Sequence, residues 1–199
     1  MWSSRDLTLV IILAVVSFIY TVLIGQLGNL FTGILGLNYF FIGGHAVFIS
    51  FGFLMYEGRR WRFLIQSILV ALLTLPTHQS GAPFDVLARI PMIASSFIFD
   101  LIFNSIYTFF RKRNRLVWWA ILVAVVYLLI TPFFVALNLF MFYPPEVFTL
   151  FMNVVLLMLP VIIIESIAGA YIANKIYRRV KTVKKLVNNP KNSTKSIGY

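Results

Sequence analysis

The sequence lacks cysteine and is poor in charged residues. None of its 199 residues is a cysteine, which excludes disulfide bonds, thiolate metal sites and cysteine nucleophiles. Only 12% of the residues are charged, about half the share found in a typical soluble domain. Acidic residues are the scarcest, at 6 against 17 basic ones. These shortages indicate a chain with little surface in contact with water.

Long apolar runs take the place of the missing charges. Hydrophobic residues make up 60% of the chain and the mean hydropathy is +0.91, which is typical of an integral membrane protein. Six apolar segments predict an all-α fold of six transmembrane helices, at about 7–30, 39–56, 63–75, 87–110, 116–142 and 146–177. We assign residues 1–180 to a transmembrane domain and 181–199 to a basic, disordered cytoplasmic tail.

The basic residues gather on one side of this layout. If the segments alternate in direction, 16 of the 17 basic residues fall on one side and only Arg89 falls on the other. Because Lys and Arg are retained in the cytoplasm, this partition predicts a multi-pass protein of the plasma membrane with both termini in the cytoplasm. The net charge of +11 then faces anionic lipid, and we expect no nucleic-acid partner.

Polar residues interrupt two of the predicted spans. Asp100 lies within the run "IASSFIFDLIFNSIY", about 16 Å from Arg111 along a helix. Asn104 shares its face, and Arg89 returns to nearly the same angle after about three turns. Glu165 precedes the basic Lys175 by ten residues, so its predicted depth in the membrane is similar to that of Asp100. The two carboxylates could therefore meet and share a proton. Two interpretations stay open: a buried hydrogen bond that sets helix register, or a proton or cation relay.

Other polar residues collect at the predicted outer side. They could line a pocket that opens outward, since small-ligand sites combine apolar walls with a few convergent polar groups. The alternative is a set of ordinary interfacial residues, including a local Asp85–Arg89 pair. The candidate substrate-binding residues are Asn38, Tyr39, Asp85, Arg89, Asn138, Glu146 and Asn153.

Motifs of the common hydrolases are missing. The chain contains no G-x-x-x-x-G-K-[ST], no H-E-x-x-H and no G-x-S-x-G, so P-loop ATP hydrolysis and two common kinds of hydrolytic site are excluded. His45, His78 and Asp85 have no spacing that is specific for a metal. We therefore expect no enzymatic activity, no cofactor and no metal.

Four stretches together resemble one family of membrane proteins. They are "SSRDLTLVIILAVVSFIY", "GQLGNLFTGILGLNYFFIGGHAVFISFGF", "FIFDLIF" and "LPVIIIESIAGAYIANKIYRR". Their order and character resemble the S components of energy-coupling factor (ECF) transporters, which capture vitamins as subunits of multi-component ABC importers. The first half is most similar to the members linked to thiamine and its precursors.

This resemblance implies a function and partners. It implies six helices with cytoplasmic termini, an outer site for a small water-soluble vitamin or precursor, a transmembrane coupling subunit and two ATPase subunits. The family's Ala-x-x-x-Ala contact motif is not intact, because Phe18 follows Ala14 by four residues. Ser17, Thr21 and Gly25 form a small face that we expect, with Ala14, to contact a partner helix.

Two rival functions fit the same sequence. One is a stand-alone ion-coupled carrier that uses Asp100 and Glu165. The other is an accessory subunit of a larger membrane complex that binds no ligand.

The charge partition predicts the topology directly. Reporter fusions after Arg62, Arg113 and Lys185 should report the cytoplasm, and fusions after Gly81 and Pro145 should report the outside. Alkaline phosphatase and green fluorescent protein fusions measure this in pairs. A cytoplasmic signal at Gly81 would contradict the six-span layout.

Overall fold

The structure, a computed structural model, is entirely helical in the part of the chain that it describes. That part comprises residues 2–32, 43–77 and 83–188, with 25–32 and 183–188 described by their backbone alone. The helices are α1 (Ser4–Thr32), α2 (Gly43–Tyr56), α3 (Arg62–Thr74), α4 (Ile90–Lys112), α5 (Leu116–Phe142) and α6 (Pro145–Asn188). A 3₁₀ turn, Leu87–Arg89, leads into α4. The predicted all-α class is thereby confirmed for the described residues.

The six helices fall into two length classes. Four of them, α1, α4, α5 and α6, contain apolar stretches of at least 21 residues and are long enough to cross a membrane. The other two, α2 and α3, have 14 and 13 residues and are about 20 Å long, against a hydrocarbon thickness of about 30 Å. An apolar environment leaves the backbone groups at a helix end without water, so the ends of α2 and α3 need partners from other helices.

The last helix runs past the predicted domain boundary at residue 180. It has 44 residues and ends at Asn188, so the basic flank continues α6 rather than beginning a disordered tail. Lys181 pairs with Glu57 at 3.0 Å, and its Nζ lies 4.7 Å from the centre of the Tyr177 ring. Basic residues are good helix formers and are favourable near a helix C-terminus. Residues 189–199 of the predicted tail lie outside the described residues.

Successive helices run in opposite directions. The beginning of α3 contacts the middle of α4, whereas its end contacts Arg89 at the start of α4. The beginning of α2 contacts Glu165, whereas the turn after α2 contacts Tyr177 further along α6. The second and sixth helices therefore run parallel, as alternation of direction requires. The described basic residues other than Arg89 therefore collect at one end of the bundle, which we call the basic end; the opposite end is the far end.

Ion pairs join three segments at the basic end. Ser3 and Asp6 bond reciprocally at the start of α1, where the Asp6 N–H donates to the Ser3 hydroxyl at 3.1 Å and the Ser3 N–H to the Asp6 carboxylate at 3.3 Å. This is the arrangement of a capping box. The same carboxylate pairs with Arg59 at 2.6 Å and with Arg62 at 3.0 Å. The start of α1 is therefore joined to the turn between α2 and α3 through Arg59 and to the first residue of α3, Arg62.

Aromatic rings fill the core between α2, α3, α4 and α5. Phe53 lies at its centre, with ring centroids 4.3 Å from Phe63, 5.9 Å from Phe103 and 5.9 Å from Trp119. Trp119 and Phe53 are fully buried. A smaller cluster of Ala136, Phe151 and Val155 joins α5 to α6 toward the far end.

Small residues let α2 and α6 approach closely. A Cβ added to Gly169 would lie 2.6 Å from the Ala46 Cβ and 2.6 Å from the main-chain oxygen of Gly43. These distances leave no room for a side chain at residue 169. Close backbone approach through small residues is a common way of packing membrane helices.

We expect Gly169→Ala to destabilise the protein, although alanine in a helix interior usually stabilises it. The clash with α2 should lower the free energy of unfolding by about 1–3 kcal/mol, seen as a lower melting temperature in detergent. Gly43→Ala is the control, because its Cβ would lie 3.5 Å from Glu165, an ordinary contact. Equal stability of the two variants would contradict the tight crossing.

Candidate functional site

Two polar side chains, Arg89 at the N-cap of α4 and Asp100 within α4, bind the two ends of α3. At the beginning of α3, the Asp100 carboxylate accepts hydrogen bonds from the main-chain N–H groups of Trp61 at 2.8 Å and Leu64 at 2.9 Å. At its end, Arg89 Nη2 donates to the main-chain oxygens of Thr74 at 3.0 Å and Thr77 at 3.1 Å. Each charge has the sign that stabilises the helix end it contacts.

The carboxylate of Asp100 replaces a cap that α3 lacks. The residue before α3 is Trp61, whose side chain makes no capping hydrogen bond. Asp100 is fully buried, and Asn104 orients it by donating from Nδ2 at 2.7 Å. The first N–H groups of a helix have no partner within the helix, so a carboxylate from α4 satisfies them. This geometry answers why an acidic residue interrupts the apolar run of α4.

The polar face of α4 continues between these two charges. The Ser96 hydroxyl donates to the Ser67 hydroxyl of α3 at 2.7 Å and lies 3.2 Å from the Tyr127 hydroxyl of α5. Ser96, Asp100 and Asn104 are all buried. The spacing in the sequence predicts that Asp100 and Asn104 share a face, and in the structure this face, with Ser96, contacts α3 and α5.

Glu165 has a comparable role at the beginning of α2. Its Oε2 accepts a hydrogen bond from the Gly43 N–H at 2.9 Å. Asp100, in contrast, contacts the turn that follows the other end of α2. The length of α2 separates the two levels by about 20 Å. The expectation that Asp100 and Glu165 meet and share a proton is therefore wrong, because each carboxylate binds the N-terminus of a different short helix.

A second polar cluster lies at the far end, where Asp85 is central. Its carboxylate accepts hydrogen bonds from the Tyr143 hydroxyl at 2.5 Å and the Ala88 N–H at 3.2 Å. Arg89 Nη1 donates to the main-chain oxygen of Asp85 at 3.0 Å, and Asn138 Nδ2 donates to that of Leu87 at 3.1 Å. These bonds join the segment before α4 to α5 and to the connection between α5 and α6.

The bond between Tyr143 and Asp85 shifts the pKa of both groups. The Tyr143 hydroxyl lowers the pKa of Asp85 below its ordinary value, helped by the Ala88 N–H and by Arg89 and opposed by burial. Burial, together with the bond to Asp85, raises the pKa of Tyr143 to about 12. The carboxylate is thus held ionised and the phenol protonated at neutral pH.

The structure brings together only some of the predicted substrate-binding residues. Asp85, Arg89 and Asn138 meet in the far-end cluster, where each bonds to the protein itself. Glu146 and Asn153 are exposed on α6 and take no part in the hydrogen bonds of that cluster. Two others, Asn38 and Tyr39, lie outside the described residues.

The small face of α1 points into the bundle, which corrects its predicted role as a partner contact. Ala14 is 1% exposed and Ser17 8% exposed, and the Ser17 hydroxyl accepts from Gln66 Nε2 at 3.4 Å. Thr21 Oγ1 lies 2.9 Å from His45 Nε2. The small residues thus pack α1 on α2 and α3. Gly25 belongs to the stretch of α1 described by its backbone alone.

Sequence reasoning missed a polar cluster at the beginning of α2. His45 contacts Thr21, and the Tyr20 ring lies edge-on to the imidazole with centroids 4.9 Å apart. The Nδ1 atom of His45 is buried and has no hydrogen-bond partner. Gly44 permits the contact, since a Cβ there would lie 2.1 Å from Tyr20 Cζ. The "GGH" triplet at the start of an apolar segment was the available signal.

No metal-binding cluster occurs in the described ranges, where no three His, Cys, Asp or Glu side chains come together. Comparison with known proteins adds no identification. No protein-family model matches the chain, no curated protein matches its sequence, and no solved structure matches its fold.

The far-end cluster predicts a pH dependence of stability. Because folding lowers the pKa of Asp85, its contribution is complete above the ordinary Asp pKa of about 3.9 and is lost as the pH falls below it. Tyr143→Phe removes the main cause of that shift. We therefore expect a shallower loss of melting temperature on acidification in this variant than in the wild type.

Tyr171→Phe is the matched control, because Tyr171 is 61% exposed on α6. It should follow the wild-type acid profile in detergent. A wild-type slope in Tyr143→Phe would show that the bond to Asp85 contributes nothing to acid sensitivity.

Proposed function

We propose that the protein is the substrate-capturing membrane subunit of a multi-component importer of the ECF type. In this proposal six helices cross the plasma membrane, the basic end and both termini lie in the cytoplasm, and the far end faces outward. The ligand is a small water-soluble vitamin or precursor. A transmembrane coupling subunit and two ATPases supply the energy, and the chain itself catalyses no reaction.

The observation that carries the proposal is the role of two carboxylates, the buried Asp100 and the half-buried Glu165. Asp100 accepts three hydrogen bonds, two of them from the N-terminus of α3, and Glu165 binds the N-terminus of α2. A proton-coupled carrier needs carboxylates that can gain and lose a proton during transport. Because both carboxylates are used to cap helices, the interpretation in which partner subunits supply the energy for transport is favoured over proton coupling.

The direction of the helices supports the proposed orientation. Alternation brings the start of α1, the turn between α2 and α3, the turn between α4 and α5, and the end of α6 to the basic end. A concentration of Lys and Arg at one end is the signature of the cytoplasmic side. In the proposed six-span layout, α2 and α3 can lie within the bilayer although they are short, because the polar groups at their ends bond to longer neighbouring helices.

The polar groups nearer the far end support ligand capture. His45 has one ring nitrogen without a hydrogen-bond partner, and Glu165, Thr21 and Tyr20 surround the same helix start. Ligand sites combine apolar walls with a few polar groups of this kind. Mass spectrometry of small molecules that co-purify with the detergent-solubilised protein tests capture; absence of any ligand would favour the accessory-subunit function.

The role of Asp100 separates capture from ion-coupled transport. Asp100→Asn keeps an acceptor for α3 but cannot exchange a proton, so we expect near-normal uptake in cells that carry the coupling subunit and ATPases. Asp100→Leu leaves buried donors unpaired, at about 1–3 kcal/mol for each, and should lower the melting temperature in detergent.

Glu165→Gln serves as the parallel variant, since it also keeps an acceptor without a titratable proton. Uptake should survive in both amide variants. Loss of uptake in Asp100→Asn, with folding and ligand binding intact, would contradict the proposal and favour the ion-coupled carrier.

A further inference from the structure

A tryptophan in an unusual backbone conformation lies in the turn between α2 and α3. Trp61 has a φ of 72°, in the left-handed region that glycine adopts freely and bulky residues rarely do. Its N–H is bonded to Asp100. Its side chain is 42% exposed, with the ring centroid 6.0 Å from that of Phe97 on α4. Strain retained at a bulky residue suggests a use for its side chain.

Three arginines, two in this turn and one at the first position of α3, divide between two surfaces. Arg59 and Arg62 both pair with Asp6 of α1. Arg60 is exposed and lies against α4, where its Nη2 donates to the Ser105 hydroxyl at 3.0 Å. Arg60 has no acidic partner within the described part of the chain. Its charge is therefore available to an anion from outside the protein.

Ser105 positions this guanidinium and adds no charge to it. Its hydroxyl donates to the main-chain oxygen of Leu101 at 2.6 Å, which leaves the hydroxyl oxygen to accept from Arg60. The bond holds Arg60 on the outer surface of α4. The remaining N–H groups of the guanidinium can bind a phosphate bidentately.

An exposed apolar track leads away from Arg60 along α4. Ser105, Leu101 and Phe97 follow at intervals of four residues and so share a face. Beside them Ile98 is 40% exposed and Ile102 is 50% exposed, and Phe97 itself is 43% exposed. A cation, a tryptophan and an apolar track thus follow one another in the order in which a phospholipid presents its phosphate, glycerol and acyl chain. Tryptophan favours the headgroup level of membranes.

We propose that Arg60 and Trp61 form a binding site for an anionic phospholipid in the leaflet at the basic end. The lipid phosphate binds Arg60, the glycerol region contacts the Trp61 indole, and an acyl chain lies along Phe97. The neighbouring Arg59, whose side chain is 51% exposed, adds positive potential that favours a net negative headgroup. The site is separate from the far-end and α2 clusters and does not rest on the transport function.

Native mass spectrometry of the purified full chain, titrated with phosphatidylglycerol, tests the site. We expect Arg60→Gln to weaken binding about fivefold, the effect of one basic residue at an anionic surface. Arg178→Gln removes one exposed charge from α6 at the same end. It should change binding by less than about twofold, since Arg178 is not part of the site formed by Ser105 and the apolar track on α4. Equal losses in both variants would mean diffuse attraction and would overturn the site.

Two further measurements test whether the site requires a net negative headgroup and whether it requires a whole lipid rather than free phosphate. Phosphatidylcholine should bind about fivefold more weakly than phosphatidylglycerol, and inorganic phosphate should displace neither lipid. Equal binding of the two lipids, or displacement by phosphate, would overturn the proposal.

Trp61→Gly keeps the test valid if Arg60→Gln fails to fold. Glycine adopts a φ of 72° without strain, so the melting temperature should be kept or raised while phosphatidylglycerol binding falls. Unchanged lipid binding in this variant would contradict the role of the indole.

Discussion

Arg89, just before α4, and Asp100 within α4 bond to opposite ends of α3, and these contacts constrain how the rest of the bundle is arranged. The helix between them has 13 residues, too few to reach both edges of a bilayer. Its terminal N–H and C=O groups would cost several kcal/mol each if left in hydrocarbon without partners. A carboxylate at the N-terminus and a guanidinium at the C-terminus satisfy them and also complement the helix dipole. The antiparallel pairing of α3 with α4 follows from these two bonds.

The N-terminus of α2 is also bound by a carboxylate, in this case from α6. Glu165 of α6 bonds to Gly43 at the start of α2, and the absence of a side chain at Gly169 lets the two helices approach. Asp100 and Glu165 thus each bind the N-terminus of a helix that is too short to span a bilayer. This use of charge underlies the proposed function, because a carboxylate committed to a helix cap is poorly suited to carry a proton through a transport cycle.

Charges outside the two caps are divided between the ends of the molecule. At the basic end, Asp6 joins the start of α1 to Arg59 and Arg62, and Glu57 joins the α2–α3 turn to Lys181. In the same turn, burial raises the pKa of Glu57, but the hydrogen bond and charge of Lys181, with help from Arg111 and Arg59, outweigh it and lower the pKa overall. At the far end, Asp85 and Tyr143 join the start of α4 to the α5–α6 connection. A few acidic side chains, Asp6 and Glu57 at the basic end and Asp85 at the far end, therefore join the segments at each end of the bundle.

The sequence by itself determined the helices, their alternating layout and the polar face of α4. Those features depend on local hydropathy, on the 3.6-residue period and on the placement of Lys and Arg, all of which are readable along the chain. The partners of the polar residues were decided only by the tertiary structure. Asp100 bonds to groups 36 and 39 residues away, and Glu165 to a group 122 residues away. The small face of α1 was likewise read as a surface for a partner, whereas it packs on α2 and α3. A residue's own neighbours fix the face on which it lies, but the atoms it meets there depend on where other helices begin and end, and the short lengths of α2 and α3 place those ends beside Asp100 and Glu165.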